Sequence, residues 1–463
     1  MGCVKINIPC LDDQKQADSS TKTSKETKKI NEKKSTATAK GGGVFVVPFK
    51  RCIHGIKKFA KEDKNRVIIF SLKVGFTILI VSLLVLCQSP YKLFGNDVVW
   101  CILTVASMFE YTVGDTFNKG VSRVIGCFLA GILAVAIDQA AIHSGPVAEP
   151  YIIGVGIFFF GALFTSILKL KPSMEPYGDG FRTILLTFCA LVVSGYRVGH
   201  PLKTAVTRLY LISIGGLVAA LVNILIFPIW AGEELHKELV EDFDSVADSL
   251  EECVKKYLED DASDQPEFSK TVLDEFPDEP AYQKCRSALD SSKKLETLAN
   301  SAKWEPPHGR FCHFLYPWSE YVKVGTVLRY CAYEVKALHG VLHSEIQPPH
   351  VLPTAFQSEI RKASHEAAEL IRCLGKDIKD LKHTPHTTLQ EKLHSSTEHL
   401  RHTTFSCSDS STALSLAAFT SSESTAALSL ATFTSLLIEF FSRLDHLAEA
   451  VDDLAKTAKF KPN

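Results

Sequence analysis

The chain has 463 residues, of which 46% are hydrophobic, and a net charge of −1, so its overall charge gives no reason to expect a nucleic-acid partner. The balanced total hides a segregation of charge along the chain. Residues 1–66 carry 16 Lys and Arg against 7 Asp and Glu, whereas residues 233–300 carry 8 against 20.

The N-terminal 66 residues are polar and basic. Residues 1–43 are rich in Lys, Ser, Thr and Gly, and they are predicted to be disordered because they contain too few apolar side chains to bury. Residues 44–66 mix apolar with basic side chains, a pattern typical of an amphipathic segment at a membrane surface.

Six apolar segments follow and predict a six-span transmembrane domain over residues 67–230. They are Val67–Leu86, Val98–Val113, Val121–Ile142, Tyr151–Leu170, Phe181–Tyr196 and Leu202–Trp230. A helix needs ~20 residues to cross the hydrocarbon core, so the second and fifth segments are short. Cysteines inside these segments are predicted to be free thiols that pack like small apolar residues, namely Cys87, Cys101, Cys127 and Cys189.

The distribution of basic residues between the segments predicts their orientation. The stretch before the first segment is strongly basic, the next three loops are nearly free of basic residues, and Lys169 and Lys171 lie between the fourth and fifth segments. This alternation places both termini in the cytosol, since the number of segments is even. Arg197 and Lys203, between the fifth and sixth segments, break the rule.

Beyond Trp230, apolar residues recur at helical spacing and predict a cytosolic helical domain over residues 231–404. Its predicted helices are 233–259, 281–303, 320–345, 354–382 and 387–402. Residues 405–436 are rich in Ser, Thr and Ala and contain a near repeat, which favours a flexible insert. Residues 437–463 predict a C-terminal amphipathic helix, so the whole chain is predicted to be all-α.

Sequence motifs of enzymes are absent. The chain has no nucleotide-phosphate loop, serine-nucleophile elbow, zinc-protease motif or cysteine–histidine zinc spacing, so it predicts no catalytic residue, metal site or cofactor. His339 and His343 are one helical turn apart, and His399 and His402 lie three residues apart. Solvated or hydrogen-bonded histidines are the favoured interpretation of both pairs.

Ionisable residues inside the apolar segments are the informative ones, because a charge at membrane depth is costly and usually faces a pathway or a partner. Lys73 lies in the first segment and Glu110 in the second, and a structural ion pair between them is one interpretation. Lys119 and Arg123 open the third segment four residues apart, and thus on one helix face.

Further arginines lie in the fifth and sixth segments. Arg182 opens the fifth segment and Arg197 closes it near the same face, while Lys203 and Arg208 open the sixth. Snorkelling to lipid head groups is the favoured interpretation for Lys169, Lys171 and Lys203, whereas Lys119 is assigned to the anion path. For Arg123, Arg182, Arg197 and Arg208 an anion path is favoured, because Arg stays charged and its planar fork matches a carboxylate. A symmetric homodimer doubles each such residue around one axis.

Several longer motifs resemble the plant aluminium-activated malate transporter family. The resemblance extends over roughly residues 55–400 and rests on Trp100–Val105, Phe109–Gly114, Lys119–Gly126, Lys171–Arg182, Phe227–Glu233, Trp304–Gly309 and Tyr316–Trp318. It implies a homodimeric anion channel, often voltage-gated, that passes malate, related dicarboxylates and in some members chloride or nitrate.

The resemblance is strongest to the vacuolar-membrane branch, with the plasma membrane as the alternative location. It implies pore-lining roles for Arg182, Arg197 and Arg208. Glu175 departs from the pattern, since relatives often carry Lys there, and an acid at that mouth weakens the attraction for anions. The implied partners are malate and other small anions, membrane lipid and a second copy of the chain, without nucleic acid.

Trp304, Glu305 and Pro306 have two interpretations. In one they form a helix-ending turn in which Trp packs, Glu caps and Pro terminates; in the other they dock the cytosolic domain on the membrane domain and influence gating. Two other functions stay open: a coupled carrier that exports organic acids, and a membrane scaffold that transports nothing.

Overall fold

The computed structural model describes residues 63–86, 99–170, 178–198, 201–258, 280–311, 316–342, 354–412 and 421–462. In these ranges the chain is helical apart from its loops and one pair of two-residue strands, which confirms the all-α prediction. The predictions for residues 1–43 and for most of residues 44–66 fall outside the described ranges. Cys87, Glu175 and His343 lie outside them as well.

The first part of the described chain forms apolar helices. They are α1 (Asp63–Leu86), α2 (Val99–Met108), α3 (Val113–His143), α4 (Glu149–Leu170), α5 (Gly178–Val198) and α6 (Pro201–Leu225). By length and composition, α1, α3, α4 and α6 are able to cross a membrane, whereas α2 and the apolar stretch Gly180–Tyr196 of α5 are shorter. Within the described residues, therefore, four long spans are supported, and a bundle of six spans stays a prediction.

The outer surface of these helices is apolar. Leu72 of α1 is 68% exposed, Phe158 of α4 is 78% exposed and Leu202 of α6 is 64% exposed. An apolar surface of this extent suits contact with lipid hydrocarbon rather than with water.

Two predicted segment boundaries were wrong. The second helix ends at Met108 instead of Val113, and the third begins at Val113 instead of Val121. The reason is Thr112, an N-cap whose hydroxyl accepts a hydrogen bond from the backbone N–H of Asp115 at 3.1 Å. Lys119 and Arg123 therefore lie inside α3 and not at its opening.

The sixth predicted segment was also too long at its C-terminal end. Helix α6 ends at Leu225 rather than at Trp230. Phe227 adopts the left-handed conformation, with φ of 46°, and Pro228 has no N–H to donate, so the helix cannot continue.

Helix α3 is central among the apolar helices and packs against α4, α5 and α6. Ala130 and Ala134 of α3 lie fully buried against Phe188 and Leu191 of α5. A second apolar cluster joins α1, α2 and α6. Cys101, Cys127 and Cys189 are free thiols in these helices, as predicted.

The second part of the described chain consists of polar-surfaced helices. They are α7 (Ala231–Leu258), α8 (Pro280–Asp290), α9 (Ser292–Ala302), α10 (Trp318–Leu342), α11 (Thr354–Asp380), α12 (Thr387–Thr412) and α13 (Ser421–Thr457). Strand β1 (Lys382–His383) pairs in parallel with β2 (Lys461–Pro462), with Lys382 opposite Lys461. Helix α7 packs against α8, α9, α10 and α11, and its predicted apolar face is buried.

Two helix predictions in this part need correction. The single helix predicted for residues 281–303 is two helices, α8 and α9, which meet at Ser291, where the hydroxyl donates to Asp242 Oδ2 at 2.7 Å. The last helix begins at Ser421, well before residue 437. Its added N-terminal part is rich in Ala and Leu, which favour helix, and it continues into the buried residues Phe433 and Leu437.

Candidate functional site

A cavity of about 380 Å³ lies between α2, α3 and α5. Three basic residues line it, together with one acidic residue and four polar ones: Lys119, Arg123, Arg182, Asp115, Ser107, Asn118, Ser122 and Thr183. The structure thus brings together three of the residues that the sequence predicted for an anion path, from two different helices.

Local sequence explains why these helices meet here. Lys119 and Arg123 are one turn apart on α3 and so point to the same side. Helix α5 comes close to α3 because Gly126 has no side chain: a Cβ there would lie 3.2 Å from Ile184 Cγ1 and 3.4 Å from the carbonyl oxygen of Gly180. Arg182, two residues beyond Gly180, therefore reaches the same cavity.

The charges in the cavity are only partly compensated. Lys119 Nζ is 2.5 Å from Glu110 Oε1, in an ion pair whose side chains are each about one-third exposed. Arg123 is half-buried, and its Nε has no hydrogen-bond partner among the described residues. Arg182 is exposed at the edge. In a partly desolvated cavity, guanidinium groups in this arrangement attract anions strongly.

The other predicted basic residues lie elsewhere. Arg208 is 5% exposed, does not line the cavity, and holds its guanidinium carbon 3.9 Å from the centre of the Trp100 ring. That contact is a buried cation–π interaction. Arg197 lies in the last turn of α5, but its side chain is outside the described part, and Lys203 is exposed at the start of α6.

Lys73 does not pair with Glu110, so that prediction was wrong. Its ammonium group, 2% exposed, donates to Asn223 Oδ1 at 2.7 Å and to the backbone carbonyl of Phe227 at 3.2 Å. Glu110 turns its carboxylate to Lys119 instead. Glu110 lies in the loop between α2 and α3, because α2 has already ended at Met108.

Asn223 is the centre of a buried polar network. Its amide nitrogen donates to Thr116 Oγ1 at 2.8 Å and to the carbonyls of Glu110 and Thr112 at 3.2 Å. Asn223 thereby joins α1, α6 and the start of α3, which leads to the basic cavity. Such networks are strong when every member is satisfied.

Glu305 connects the apolar helices with the C-terminal helices. Its side chain is 2% exposed. Oε1 accepts hydrogen bonds from the backbone N–H of Ala231 at 2.6 Å and of Gly114 at 3.3 Å, and Oε2 accepts one from Gly232 at 3.1 Å. One carboxylate thus caps the N-termini of α3 and α7, whose first N–H groups have no partner within their own helices.

Two glycines make this arrangement possible. A Cβ on Gly114 would collide with the backbone of Ser301 in α9, and a Cβ on Gly232 would lie 2.5 Å from the Trp318 ring. The hydroxyl of Ser301 also donates to Asp115, a residue that lines the cavity. The cavity is therefore tied to α9 through neighbouring contacts.

The turn at Trp304 matches its predicted form only in part. Helix α9 ends at Ala302, and Glu305 does cap, but it caps two other helices. Trp304 is 43% exposed, so more than half of its surface is covered. Pro306 follows the turn, and its carbonyl bonds to His308 Nδ1 at 2.9 Å.

The histidines predicted to be solvated or hydrogen-bonded do not form a metal centre in the described part of the chain. His339 is buried, and His399 Nδ1 lies 3.5 Å from Glu359 Oε2. Among the described residues, no group of three or more potential ligands is arranged to hold a metal ion.

The sequence interpretation missed Asn223, Asp115 and Ser301. Asn223 had a usable signal, since an amide inside an otherwise apolar helix has to find partners. Asp115 had a weaker signal in the sequence, because an acidic residue three positions after a Thr is a pattern typical of a helix N-terminus. Ser301 had none, because its importance comes from a contact with a residue 186 positions away.

The chain is similar to a known family and to several curated proteins. A family model described as "Aluminium activated malate transporter" matches residues 57–418 and 406–455. "Aluminum-activated malate transporter 14" of Arabidopsis thaliana is 36% identical over 344 residues, which are 74% of this chain and 62% of that protein. "Aluminum-activated malate transporter 12" is 36% identical over 334 residues, 72% of this chain and 58% of that protein.

A third relative matches over a longer region. "Aluminum-activated malate transporter 2" of the same plant is 31% identical over 406 residues, 88% of this chain and 77% of that protein. The chain spans about three fifths of the length of the first two relatives.

Proposed function

Because the chain belongs to the aluminium-activated malate transporter family, we propose that it is a channel that passes malate and related dicarboxylates. The chain is a multi-pass membrane protein, in keeping with the family and with its long apolar helices. As a member of a family named for transport, it is not an enzyme.

The observation that carries this proposal is the basic cavity between α2, α3 and α5. Arg123 and Arg182 approach it from different helices, and each guanidinium offers a planar pair of donors that matches one carboxylate. Lys119 adds a positive charge that Glu110 partly compensates. Ser107, Asn118, Ser122 and Thr183 add polar groups. A dicarboxylate, and also chloride or nitrate, would be drawn to such a lining.

The proposed path continues along the bundle past Arg197 and Arg208 and lies at the axis of a homodimer. Arg208 is buried against Trp100, with its guanidinium carbon 3.9 Å from the centre of the ring. In a dimer with two-fold symmetry each basic residue occurs twice around the path. The apolar outer faces of α1, α4 and α6 supply surface for membrane lipid or for the second copy.

We further propose six spans in a vacuolar membrane, with both termini and the helices α7–α13 in the cytosol. The acidic, polar surface of those helices suits water, and the basic residues that precede α1 suit a cytosolic membrane surface. Trp304, Glu305 and Pro306 then have a structural role with consequences for gating, because Glu305 binds both parts of the chain.

The test is a current measurement on the full chain in planar bilayers, with malate on both sides at unequal concentrations. Arg123→Ala and Arg182→Ala are expected to lower the malate current several-fold, while Arg361→Ala, an exposed arginine on α11, serves as the matched control. A reversal potential that follows the malate gradient supports a channel. Unchanged currents in both cavity variants, at equal protein level, would remove those residues from the path.

A coupled carrier of organic acids is the second candidate, and one observation favours it. Asp138 in α3 is 3% exposed, and neither carboxylate oxygen has a hydrogen-bond partner among the described residues. A buried acid at membrane depth is a typical proton-relay group of coupled carriers. If the protein is a carrier, Asp138→Asn should abolish uptake driven by a proton gradient. A channel should instead keep its malate current in that variant.

A further inference from the structure

We propose that Asp115 makes the basic cavity selective for a hydroxydicarboxylate, such as malate, over a dicarboxylate that has no hydroxyl group. Its carboxylate accepts a hydrogen bond from the hydroxyl of the bound anion, and it repels an anion that has no donor to offer. The inference rests on the proposed function, because it concerns the ligand that the same cavity takes.

Asp115 is an acidic residue among groups of the opposite charge. It lines the cavity together with Lys119, Arg123 and Arg182. On α3, Lys119 lies one turn beyond Asp115 and Arg123 two turns beyond it, at ~6 Å along the axis for every four residues. An anion that is drawn to these basic side chains therefore meets the carboxylate of Asp115.

The position and the charge of this carboxylate are fixed by its neighbours. The Thr112 hydroxyl donates to Oδ2 at 2.8 Å, and the Ser301 hydroxyl donates to Oδ1. Asp115 lies in the first turn of α3, where the helix dipole stabilises a negative charge. Lys119 pairs with Glu110, so that lysine does not neutralise Asp115.

The carboxylate has room for a further hydrogen bond. An ionised carboxylate offers about four acceptor sites and no donor, and the hydroxyls of Thr112 and Ser301 occupy one site on each oxygen. The polar residues of the lining carry donors that can turn to the carboxylates of an anion: Ser107, Asn118, Ser122 and Thr183. A hydroxyl hydrogen of the bound anion thus finds its charged acceptor at Asp115.

The consequence differs between two ligands of equal charge. Malate brings two carboxylates for the basic side chains and one hydroxyl hydrogen for Asp115. Succinate brings the same carboxylates without a donor, so it meets Asp115 only as a like charge in a partly desolvated cavity. Sites that hydrogen-bond a ligand hydroxyl reject the analogue that lacks it, because their polar group is then left unpaired.

A purely structural role for Asp115 predicts a different result. Its contact with Ser301 ties α3 to α9, and its charge alone would lower the affinity for every dianion by the same factor. Removing the side chain would then change the affinities for malate and succinate together. The ratio of the two affinities separates this role from selectivity.

The first experiment needs only the wild type. Calorimetric titration of the purified full chain in detergent compares malate, succinate and fluorosuccinate at about pH 7.5, where their carboxyl groups are ionised. Fluorine replaces the hydroxyl at similar size and cannot donate a hydrogen bond. Malate should bind about tenfold more tightly than either analogue, as expected for a hydrogen bond to a charged group. Equal affinities for malate and fluorosuccinate would overturn the proposal.

The second experiment repeats these titrations with variants. Asp115→Ala should bring the affinity ratios close to one and raise the affinity for succinate, since the like charge is gone. Asp115→Asn keeps the shape of the side chain and one acceptor oxygen, so its ratios should lie between those of Asp115→Ala and the wild type. Glu149→Ala is the matched control, because it removes an acid from the first turn of α4 outside the cavity lining, and it should keep the wild-type ratios. Wild-type ratios in both Asp115 variants would overturn the proposal.

Current measurements separate this proposal from the channel function. In planar bilayers, the malate concentration that gives half-maximal current should rise relative to that of succinate in Asp115→Ala. A protein that passes malate with the same relative values in wild type and variant refutes the role of Asp115 and leaves the channel. A protein that carries no current, but shows the Asp115-dependent ratios in the titrations, refutes the channel alone.

Discussion

The buried contact between Lys73 and Asn223 makes a quantitative prediction about stability. Replacing Lys73 by Met leaves Asn223 Oδ1 without the ammonium donor at 2.7 Å. Replacing Asn223 by Leu removes that acceptor from the Lys73 ammonium group, which then keeps only the carbonyl of Phe227. A hydrogen bond to a charged group contributes ~1.5–3 kcal/mol, and an orphaned buried group costs ~1–3 kcal/mol. Lys73→Met should thus lose about 3 kcal/mol of unfolding free energy. Asn223→Leu should lose more, because it also removes the hydrogen bonds from the Asn223 amide to Thr116 Oγ1 and to the carbonyls of Glu110 and Thr112.

The double variant is the informative one. With both polar groups replaced by apolar groups of similar volume, no buried atom of this pair is left unsatisfied, so the combined loss should be smaller than the sum by ~1.5–3 kcal/mol. Unfolding in denaturant, followed on the purified protein in detergent, measures the four values.

The matched control pairs the same Asn223→Leu change with Lys203→Met, since Lys203 is an exposed lysine near the start of the same helix. That pair should be additive within ~0.5 kcal/mol. Additive losses for Lys73 and Asn223 as well would refute the view that the two side chains act as one unit.

Three further outcomes follow from the described contacts. Gly232→Ala should cost ~1–3 kcal/mol, because its Cβ would meet the ring of Trp318, whereas Gly340→Ala, with nothing within 4 Å, should be neutral or stabilising; thermal unfolding compares them. Burial raises the pKa of Asp242 to about 7, so the native state binds this proton more tightly than the unfolded chain, and stability that is present at about pH 4 is lost as the pH rises to 7. Asp242→Asn should therefore become more stable relative to the wild type across that interval in melting experiments, and a constant difference would contradict this assignment. Lys119→Met should change stability by less than ~1 kcal/mol, because its ion pair is partly exposed, and yet lower the malate current.

Helix periodicity and apolar length were readable from the sequence because they depend on neighbours a few residues away. The apolar face of α7 recurs at helical spacing and is buried as predicted, and the low-polarity stretches correspond to α1–α6. The shared face of Lys119 and Arg123 follows from the 3.6-residue turn in the same way. The family motifs were readable too, because they are runs of adjacent residues.

Contacts between distant parts of the chain were decided only by the tertiary structure. The partner of Lys73 was not predictable from the sequence. Asn223, 150 residues away, and Glu110 are both polar groups in apolar surroundings, so neither was favoured as the partner. In the folded chain α2 ends at Met108, and Glu110, in the loop that follows, pairs with Lys119. For Glu305, likewise, the sequence predicted only a cap of a nearby helix. Because α3 and α7 pack against its loop, its carboxylate is shared by two helix ends. Local pattern determined which segments are helical, whereas the partner of each buried polar group depended on how those helices pack.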